Sequence, residues 1–121
     1  MRQTCCSIFF DHQSEPQPDL ALLKYRSNFY RDGYPEPKDV LLLIEISDAS
    51  LEWDRQVKIP LYARAGIVES WIVDLKAKSI EVYREPVEGR YRQTRIFKGS
   101  DEVASLAFPG LLLKLDEVFP W

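Results

Sequence analysis

The sequence predicts a mixed sheet of the α/β (α+β) class with one main helix packed on it. The first observation is an almost unbroken apolar run over residues 40–46, typical of a strand buried on both faces at the centre of a sheet. The second is a helical pattern over residues 50–65, which follows that run closely. The third is a set of shorter apolar segments between turn formers in the second half of the chain, which indicates further strands.

The chain of 121 residues, 45% of them hydrophobic, suits one domain with one packed core. Residues 1–18 end in a proline-rich stretch and predict a loosely ordered lead-in, so the domain is placed at 19–121. Residues 19–25 have the composition of a strand. The turn formers in residues 26–39 predict a polar loop before the central strand.

The predicted helix is marked at both ends, since Ser50 is a preferred residue type for an N-cap and Gly66 for a helix end. Pro60 lies inside it and predicts a kink or an irregular turn, because proline has no backbone N–H. After the helix, we expect a hairpin of residues 70–74 and 80–85. Further strands are predicted at residues 91–97, 103–108 and 111–115.

Charge and cysteine content narrow the classes of function. The formal net charge of −3 has the wrong sign for a protein that coats nucleic acid by bulk electrostatics, so any contact must be local and helped by a metal ion. Cys5, Cys6 and His12 make neither a disulfide framework nor a zinc-ligand set, so we interpret them as structural or incidental and expect a cytoplasmic protein. No apolar run approaches the ~18 residues that span a membrane.

Two carboxylates stand where the core pattern asks for apolar residues. Asp19 begins the first predicted strand, and Glu45 lies near the end of the most hydrophobic one. If these strands pair antiparallel, the two side chains meet at one edge of the sheet, an arrangement that makes sense mainly with a cation or a shared proton between them. Each residue also has a structural interpretation: Asp19 as a strand-start residue, and Glu45 as a buried carboxylate paired with an arginine.

A polar pair interrupts the apolar face of the predicted helix. Asp54 and Lys58 are four residues apart, so they are neighbours on the helix surface. The short connection lets Lys58 reach back over the end of the strand that carries Glu45. An ordinary surface ion pair, with a contribution of ~0.2–0.5 kcal/mol, is the structural alternative. The apolar members of this predicted face are Leu51, Trp53, Val57, Leu61 and Ala65.

These residue types are suited to metal-assisted hydrolysis of a phosphodiester. Mg²⁺ (or Mn²⁺) takes few protein carboxylates, so Asp19 and Glu45 suffice as metal ligands, with a backbone carbonyl near Ile46 as a further one. The ion lowers the pKa of a bound water and neutralises phosphate charge. Lys58 then orients or activates the water, or stabilises the developing oxyanion. The predicted catalytic residues are therefore Asp19, Glu45 and Lys58.

Three stretches of the sequence resemble a known family. QPDLALL, VLLLIEIS and SLEWDRQVKIPLYARAGIVESWIVDL are similar to the Uma2 family, also called DUF820. Uma2 proteins belong to the PD-(D/E)XK, restriction-endonuclease-like superfamily and are abundant in cyanobacteria. The resemblance covers about residues 15–120, and the long helix-to-strand stretch is its most specific part.

The resemblance places the superfamily signature on particular residues. Asp19 after Pro18 is similar to the PD half, and Glu45 to the acidic residue of the (D/E)XK half, with Ser47 where the lysine would stand. In this family the lysine lies on the following helix, at the position of Lys58. The resemblance thus implies the same three residues as the pattern of charges.

The resemblance implies a restriction-endonuclease-like fold and a magnesium-dependent endonuclease that acts on DNA. RNA as the substrate stays open. Family members usually carry some tens of residues before the PD strand, so we expect a shortened N-terminus and a homodimer that covers the exposed apolar surface. The alternative is a catalytically inactive pseudonuclease that serves as an interaction module or is a decayed gene product.

Aromatic and basic residues elsewhere allow two interpretations. We interpret Trp53, Tyr62 and Trp71 as core or helix-packing residues rather than as stacking platforms for bases. A group of cations on the later strands either contacts phosphates or forms a solvated strand face. Its members are Arg84, Arg90, Arg92, Arg95 and Lys98.

Overall fold

The computed structural model describes residues 2–4, 18–24 and 36–121, and it contains a six-stranded sheet, a two-stranded sheet and one main helix. The predicted fold class, a mixed sheet with one main helix, is confirmed. The large sheet contains its strands in chain order: β1 (Arg2–Thr4), β2 (Leu20–Leu23), β3 (Val40–Ser47), β4 (Glu69–Asp74), β5 (Ser79–Val87) and β6 (Arg90–Lys98). The small sheet pairs β7 (Glu102–Val103) with β8 (Leu113–Lys114).

The direction of pairing places the end of β3 beside the start of β2. These two strands are antiparallel, with Leu20 opposite Ile44, so residue 19 lies next to residue 45, as predicted. β3 and β4 are parallel, and the main helix makes the crossover between them. The hairpin of β4 and β5 is confirmed, and all other neighbours in the sheet are antiparallel.

The main helix, residues 51–64, has three parts: α1 (Leu51–Trp53), a π turn (Asp54–Lys58) and α2 (Ile59–Arg64). The irregularity predicted at Pro60 is present as the π turn, which ends two residues before the proline. In this turn the N–H of Ile59 bonds the carbonyl of Asp54, five residues earlier, whereas an α-helix bonds the carbonyl four residues earlier. Gly66, with a positive φ of 79°, follows the helix as predicted.

The face that this helix turns to the sheet differs from the predicted one. Trp53 and Val57 were expected in the buried stripe, but they are 60% and 39% exposed, so that expectation is wrong. The buried stripe instead contains Asp54 and Tyr62 together with apolar neighbours. The π turn adds a residue to one helical turn and so rotates the side chains around the helix axis. A pattern that assumes a regular 100° per residue does not include this rotation. The predicted packing of Leu51 and Ala65 against the core is present.

The sheet has a core on each face. The first core lies under the main helix, and the second lies under the C-terminal residues. Trp71 belongs to the second core, as predicted, and Tyr62 to the first. The first core contains Ala21, Leu23, Val40, Leu43, Ile59, Tyr62, Ile67 and Ile72. The second contains Leu42, Trp71, Ile80, Val82, Phe97, Val103, Leu115 and Phe119.

Both ends of the chain depart from the expected elements. Residues 2–4, expected in a loosely ordered lead-in, form β1 and pair with β2. The strand predicted over 103–108 is wrong beyond Val103, since the N–H of Leu106 bonds the buried carboxylate of Glu69 instead of a strand. The strand predicted over 111–115 is shorter than expected and continues as α3 (Leu115–Val118).

Some expectations concern residues outside the described ranges. Cys5, Cys6 and His12 lie there, as does most of the predicted polar loop. The boundary between a lead-in and a domain at residue 19 stays a prediction. Among the helices that the structure describes, none has the length and apolar character to cross a membrane.

Candidate active site

Glu45 is a buried carboxylate at the carboxyl end of β3. Its side chain is 1% exposed and lies on the face of the sheet that the main helix covers. Lys58 donates from Nζ to Oε1 at 3.0 Å, and the hydroxyl of Tyr62 donates to Oε2. Both carboxylate oxygens therefore have a donor, one charged and one neutral, which a buried carboxylate requires.

The charge state of this group follows from opposing effects. Burial raises the pKa of Glu45 above its usual value, against the hydrogen bonds from Tyr62 and Lys58, and the charge of Asp19 raises it further. For Lys58, burial lowers the pKa, but the hydrogen bond and charge of Glu45 and the charges of Asp54 and Asp19 outweigh it, so the pKa is raised. Lys58 is thus a persistent ammonium at neutral pH.

Asp19 lies beside Glu45 at the edge of the site. Its Oδ2 accepts the backbone N–H of Ile46 at 2.7 Å, and its side chain is exposed. Ala21, two residues on, belongs to the first core, so Asp19 lies on the helix-covered face as well. The structure therefore brings together Asp19, Glu45 and Lys58, as the antiparallel pairing of β2 and β3 predicts. Their catalytic role stays a prediction.

Asp54 fixes the other side of the lysine. It is buried, and its Oδ1 lies 3.7 Å from Nζ of Lys58. Its Oδ2 accepts from the hydroxyl of Ser47, and from that of Ser50 at 3.0 Å. The pair of Asp54 and Lys58 is therefore no ordinary surface ion pair, since both residues face the sheet. Ser50 precedes the helix as predicted, but its hydroxyl bonds this carboxylate instead of capping the backbone.

Tyr62 is the site residue that sequence reasoning missed. The sequence predicts a packing residue at this position, and Tyr62 does pack in the first core, but its hydroxyl also bonds Glu45. A signal was present in the sequence. Tyr62 follows Lys58 by four residues, as Lys58 follows Asp54, so the three polar groups lie on one stripe of the helix.

The oxygen donors at this site suit a hard divalent cation. Asp19 and Glu45 supply two carboxylates, and Mg²⁺ commonly takes one or two and keeps its other positions for water or phosphate. Within residues 2–4, 18–24 and 36–121, no group of three or more His, Cys, Asp or Glu side chains is close enough to hold a metal.

Comparison with known proteins finds a solved structure with a similar fold. A solved structure from Anabaena variabilis, described as a "putative nuclease belonging to DUF820", matches with a TM-score of 0.61 and 18% identity over 88% of this chain. The match covers 61% of that protein, so this chain spans less than two thirds of its length. No curated protein matches.

The likeness in structure shows the fold, and the sequence match shows the family. The sequence model of Uma2, described as "Putative restriction endonuclease", matches residues 1–116. This match extends further toward the N-terminus than the stretch expected from the motifs and includes all three predicted site residues. The chain therefore belongs to the Uma2 family.

Proposed function

We propose that this chain is a metal-dependent endonuclease that hydrolyses phosphodiester bonds in DNA, with Asp19, Glu45 and Lys58 as its catalytic residues. The observation that carries the proposal is the environment of Glu45: a buried carboxylate between Lys58 and Tyr62, beside a second carboxylate at the edge of a central strand. Membership of a family with the description "Putative restriction endonuclease" supports it.

The two carboxylates would hold Mg²⁺ or Mn²⁺. Restriction-endonuclease-like proteins generally use divalent metal ions. When bound, such an ion lowers the pKa of a water molecule and offsets negative charge on the phosphate. Asp19 contributes an exposed oxygen ligand, and Glu45 contributes one whose orientation is fixed by Tyr62.

Lys58 acts as a hydrogen-bond donor and a positive charge. Its raised pKa keeps the ammonium protonated at neutral pH, so it is unsuited to remove a proton from water. An ammonium next to the scissile phosphate instead orients the attacking water and stabilises the charge that develops on the phosphate oxygens. Asp54, 3.7 Å from Nζ, positions the lysine and does not contact the substrate.

The second candidate is a catalytically inactive pseudonuclease that serves as an interaction module. It is favoured by one observation: in this structure, donors of the chain itself already engage both oxygens of Glu45. If Lys58 does not yield to a metal ion, the ion pair is only structural. The choice between DNA and RNA, the homodimer and the cytoplasmic location stay predictions from sequence.

Calorimetric titration with Mn²⁺ separates the two candidates. We expect saturable binding by the wild-type protein and at least a tenfold loss in Glu45→Gln, which keeps the shape of the side chain and removes its charge. Glu117→Gln, which changes an exposed glutamate of α3, is the matched control and should bind as the wild type does.

A cleavage assay completes this test. Supercoiled plasmid DNA with Mn²⁺ should be nicked by the wild type and by Glu117→Gln, but not by Glu45→Gln or Lys58→Met. Absence of Mn²⁺ binding by folded wild-type protein would reject the metal-dependent nuclease and leave the interaction module.

A further inference from the structure

A cavity of about 380 Å³ lies between α2 and the β5–β6 hairpin, on the flank of the helix next to the candidate site. Ile59 and Ala63 form its wall on the helix, and each follows directly after a residue that bonds Glu45. The volume is within the range of small-molecule sites, roughly 300–1,000 Å³. The side chains that give the cavity its chemistry are Arg64, Tyr83, Arg90 and Tyr91.

The two tyrosines are held by their hydroxyl groups. Tyr91 donates to the carbonyl of Ile67 at 2.7 Å and bonds the hydroxyl of Ser70 at 2.8 Å. Tyr83 donates to Glu81 at 2.6 Å. Their ring centroids are 6.0 Å apart, with a 48° angle between the ring planes. Because the polar tips are bonded within the protein, the rings offer the cavity aromatic surface, which stacks on a planar ring.

The two arginines supply positive charge beside these rings. Arg64 and Arg90 are exposed, and no ion pair in the described part of the chain includes either of them. Gly89 lets the hairpin turn lie close to the stem of Arg64, because a Cβ at this position would be 3.2 Å from Cγ of that arginine. Guanidinium groups bind phosphate through two parallel hydrogen bonds.

We propose that this cavity binds one nucleotide unit of a single-stranded segment of nucleic acid, with the base against Tyr83 and Tyr91 and the phosphate at Arg64 and Arg90. The ligand class rests on the proposed function, which makes nucleic acid the substrate, and the cavity deepens it as a strand-binding subsite beside the cleavage site. A protein with a net charge of −3 needs such a local group of cations. A base reaches the rings only when it is unstacked, so the site selects single strands over duplex.

Fluorescence anisotropy with a labelled 12-nucleotide oligothymidine, in EDTA and low salt, tests this proposal without metal or cleavage. We expect the double variant Arg64→Gln and Arg90→Gln to weaken binding about tenfold or more, since two phosphate contacts are lost. Tyr83→Leu should weaken it about fivefold or more, by loss of stacking.

The matched control is Arg95→Gln, which removes a guanidinium of the same strand from the opposite face. Arg95 pairs with Val82, whose side chain is in the second core, so the two share that face. We expect less than a twofold change. Circular dichroism and thermal melting of each variant should match the wild type, so that weaker binding does not reflect unfolding.

Two further ligands test whether the cavity prefers a single strand to a free nucleotide or a duplex. Thymidine monophosphate and a 12-base-pair duplex should both bind at least tenfold more weakly than the oligothymidine. Equal affinity of the double variant and the wild type would overturn the proposal, as would a duplex or a monophosphate that binds as tightly as the strand.

Failure of the strand-binding proposal can be distinguished from failure of the nuclease proposal. Glu117→Gln, which changes an exposed glutamate outside the cavity, should bind the oligothymidine as the wild type does. Cleavage by the wild type without a cavity effect would reject only the subsite. A cavity effect without Mn²⁺ binding would reject only the nuclease.

Discussion

At the scale of single residues, the buried carboxylate at this site depends on two hydrogen-bond donors. Glu45 is almost fully buried, and its two carboxylate oxygens accept hydrogen bonds from Lys58 and Tyr62. Burial and the nearby charge of Glu45 raise the pKa of Tyr62, so the phenol keeps its proton and remains a donor. The two donors are therefore not equivalent, since one neutralises the charge and the other only fixes its position.

Removing the neutral donor tests its share in stability. Tyr62→Phe keeps the ring in the first core but leaves Oε2 of Glu45 without its donor. We expect the free energy of unfolding to fall by about 1–3 kcal/mol, the usual cost of an unsatisfied buried group. Urea denaturation at pH 7 measures it. A stability equal to that of the wild type would contradict the bond between Tyr62 and Glu45.

Removing the charged donor separates metal binding from cleavage. Lys58→Met takes away the ammonium 3.0 Å from Oε1 of Glu45, so a divalent cation no longer competes with it. We expect tighter Mn²⁺ binding, about tenfold, together with loss of DNA cleavage. Calorimetry and a plasmid assay measure the two effects. Lys76→Met, at an exposed position, is the control, and unchanged Mn²⁺ affinity in Lys58→Met would argue against Glu45 as a ligand.

The sequence revealed three members of the site because they break a pattern. Asp19, Glu45 and Lys58 are charged residues at positions where the strand and helix patterns expect apolar ones, so they stand out without a structure. Tyr62 does not stand out, because an aromatic residue on a helix is consistent with a core. Only the direction of its hydroxyl, which depends on the packing of the helix on the sheet, makes it a site residue.

At the scale of secondary-structure elements, one ion pair connects the main helix to β5. Arg55, in the π turn, donates from Nε to the two oxygens of Glu81 at 3.0 and 3.1 Å. Burial raises the pKa of Glu81, but the hydrogen bonds from Arg55 and Tyr83 and the charge of Arg55 outweigh it, and the pKa is lowered overall. The folded protein therefore holds this carboxylate ionised more strongly than the unfolded chain does.

This shift makes part of the stability depend on pH. Because the pKa of Glu81 is lower in the folded state, its contribution is complete above the unfolded value of about 4.3 and is lost as the pH falls through the folded value. We expect the wild type to exceed Glu81→Gln in stability at pH 7 and to lose that advantage on acidification. Urea denaturation between pH 7 and pH 3 checks it. A constant difference across that range would contradict the pairing.

The patterns predicted elements better than they predicted how the helix faces the sheet. The predicted strands that became β2 to β6, and the helix between β3 and β4, carry enough apolar residues to be recognised. The π turn rotates the helix, so a pattern read at a constant step placed Trp53 in the core, whereas it is exposed. β7, β8 and α3 have two to four residues each and are too short for any period to show.

At the scale of the whole molecule, Glu69 joins the sheet to the C-terminal residues that cover its second face. This buried carboxylate accepts from Nε1 of Trp71 at 2.9 Å, from Nε of Arg84 at 2.8 Å and from the N–H of Leu106 at 2.8 Å. Arg84 in turn donates to the carbonyl of Ala104. The covering of the second core thus depends on one charged side chain.

We expect Glu69→Ala to loosen the C-terminal residues and to leave the guanidinium of Arg84 without its negatively charged partner. The loss of stability should be about 3–5 kcal/mol, as for other broken buried pairs. Limited proteolysis should cut within residues 104–113, and the fluorescence of Trp71 should shift to the red. Glu85→Ala, at an exposed position of β5, is the control. Resistance to proteolysis equal to that of the wild type would refute this dependence.

The bond between Asp19 and the N–H of Ile46 has a consequence for relatives of this protein. The carboxylate adds one more hydrogen bond between β2 and β3, with a side-chain oxygen as the acceptor instead of a backbone carbonyl. A family member without catalytic activity would still gain from an acceptor here, and asparagine would serve as well. Asp19 alone in a relative is therefore poor evidence of catalytic activity. Glu45 and Lys58 together are better evidence, because apolar residues could replace this ion pair without loss of stability.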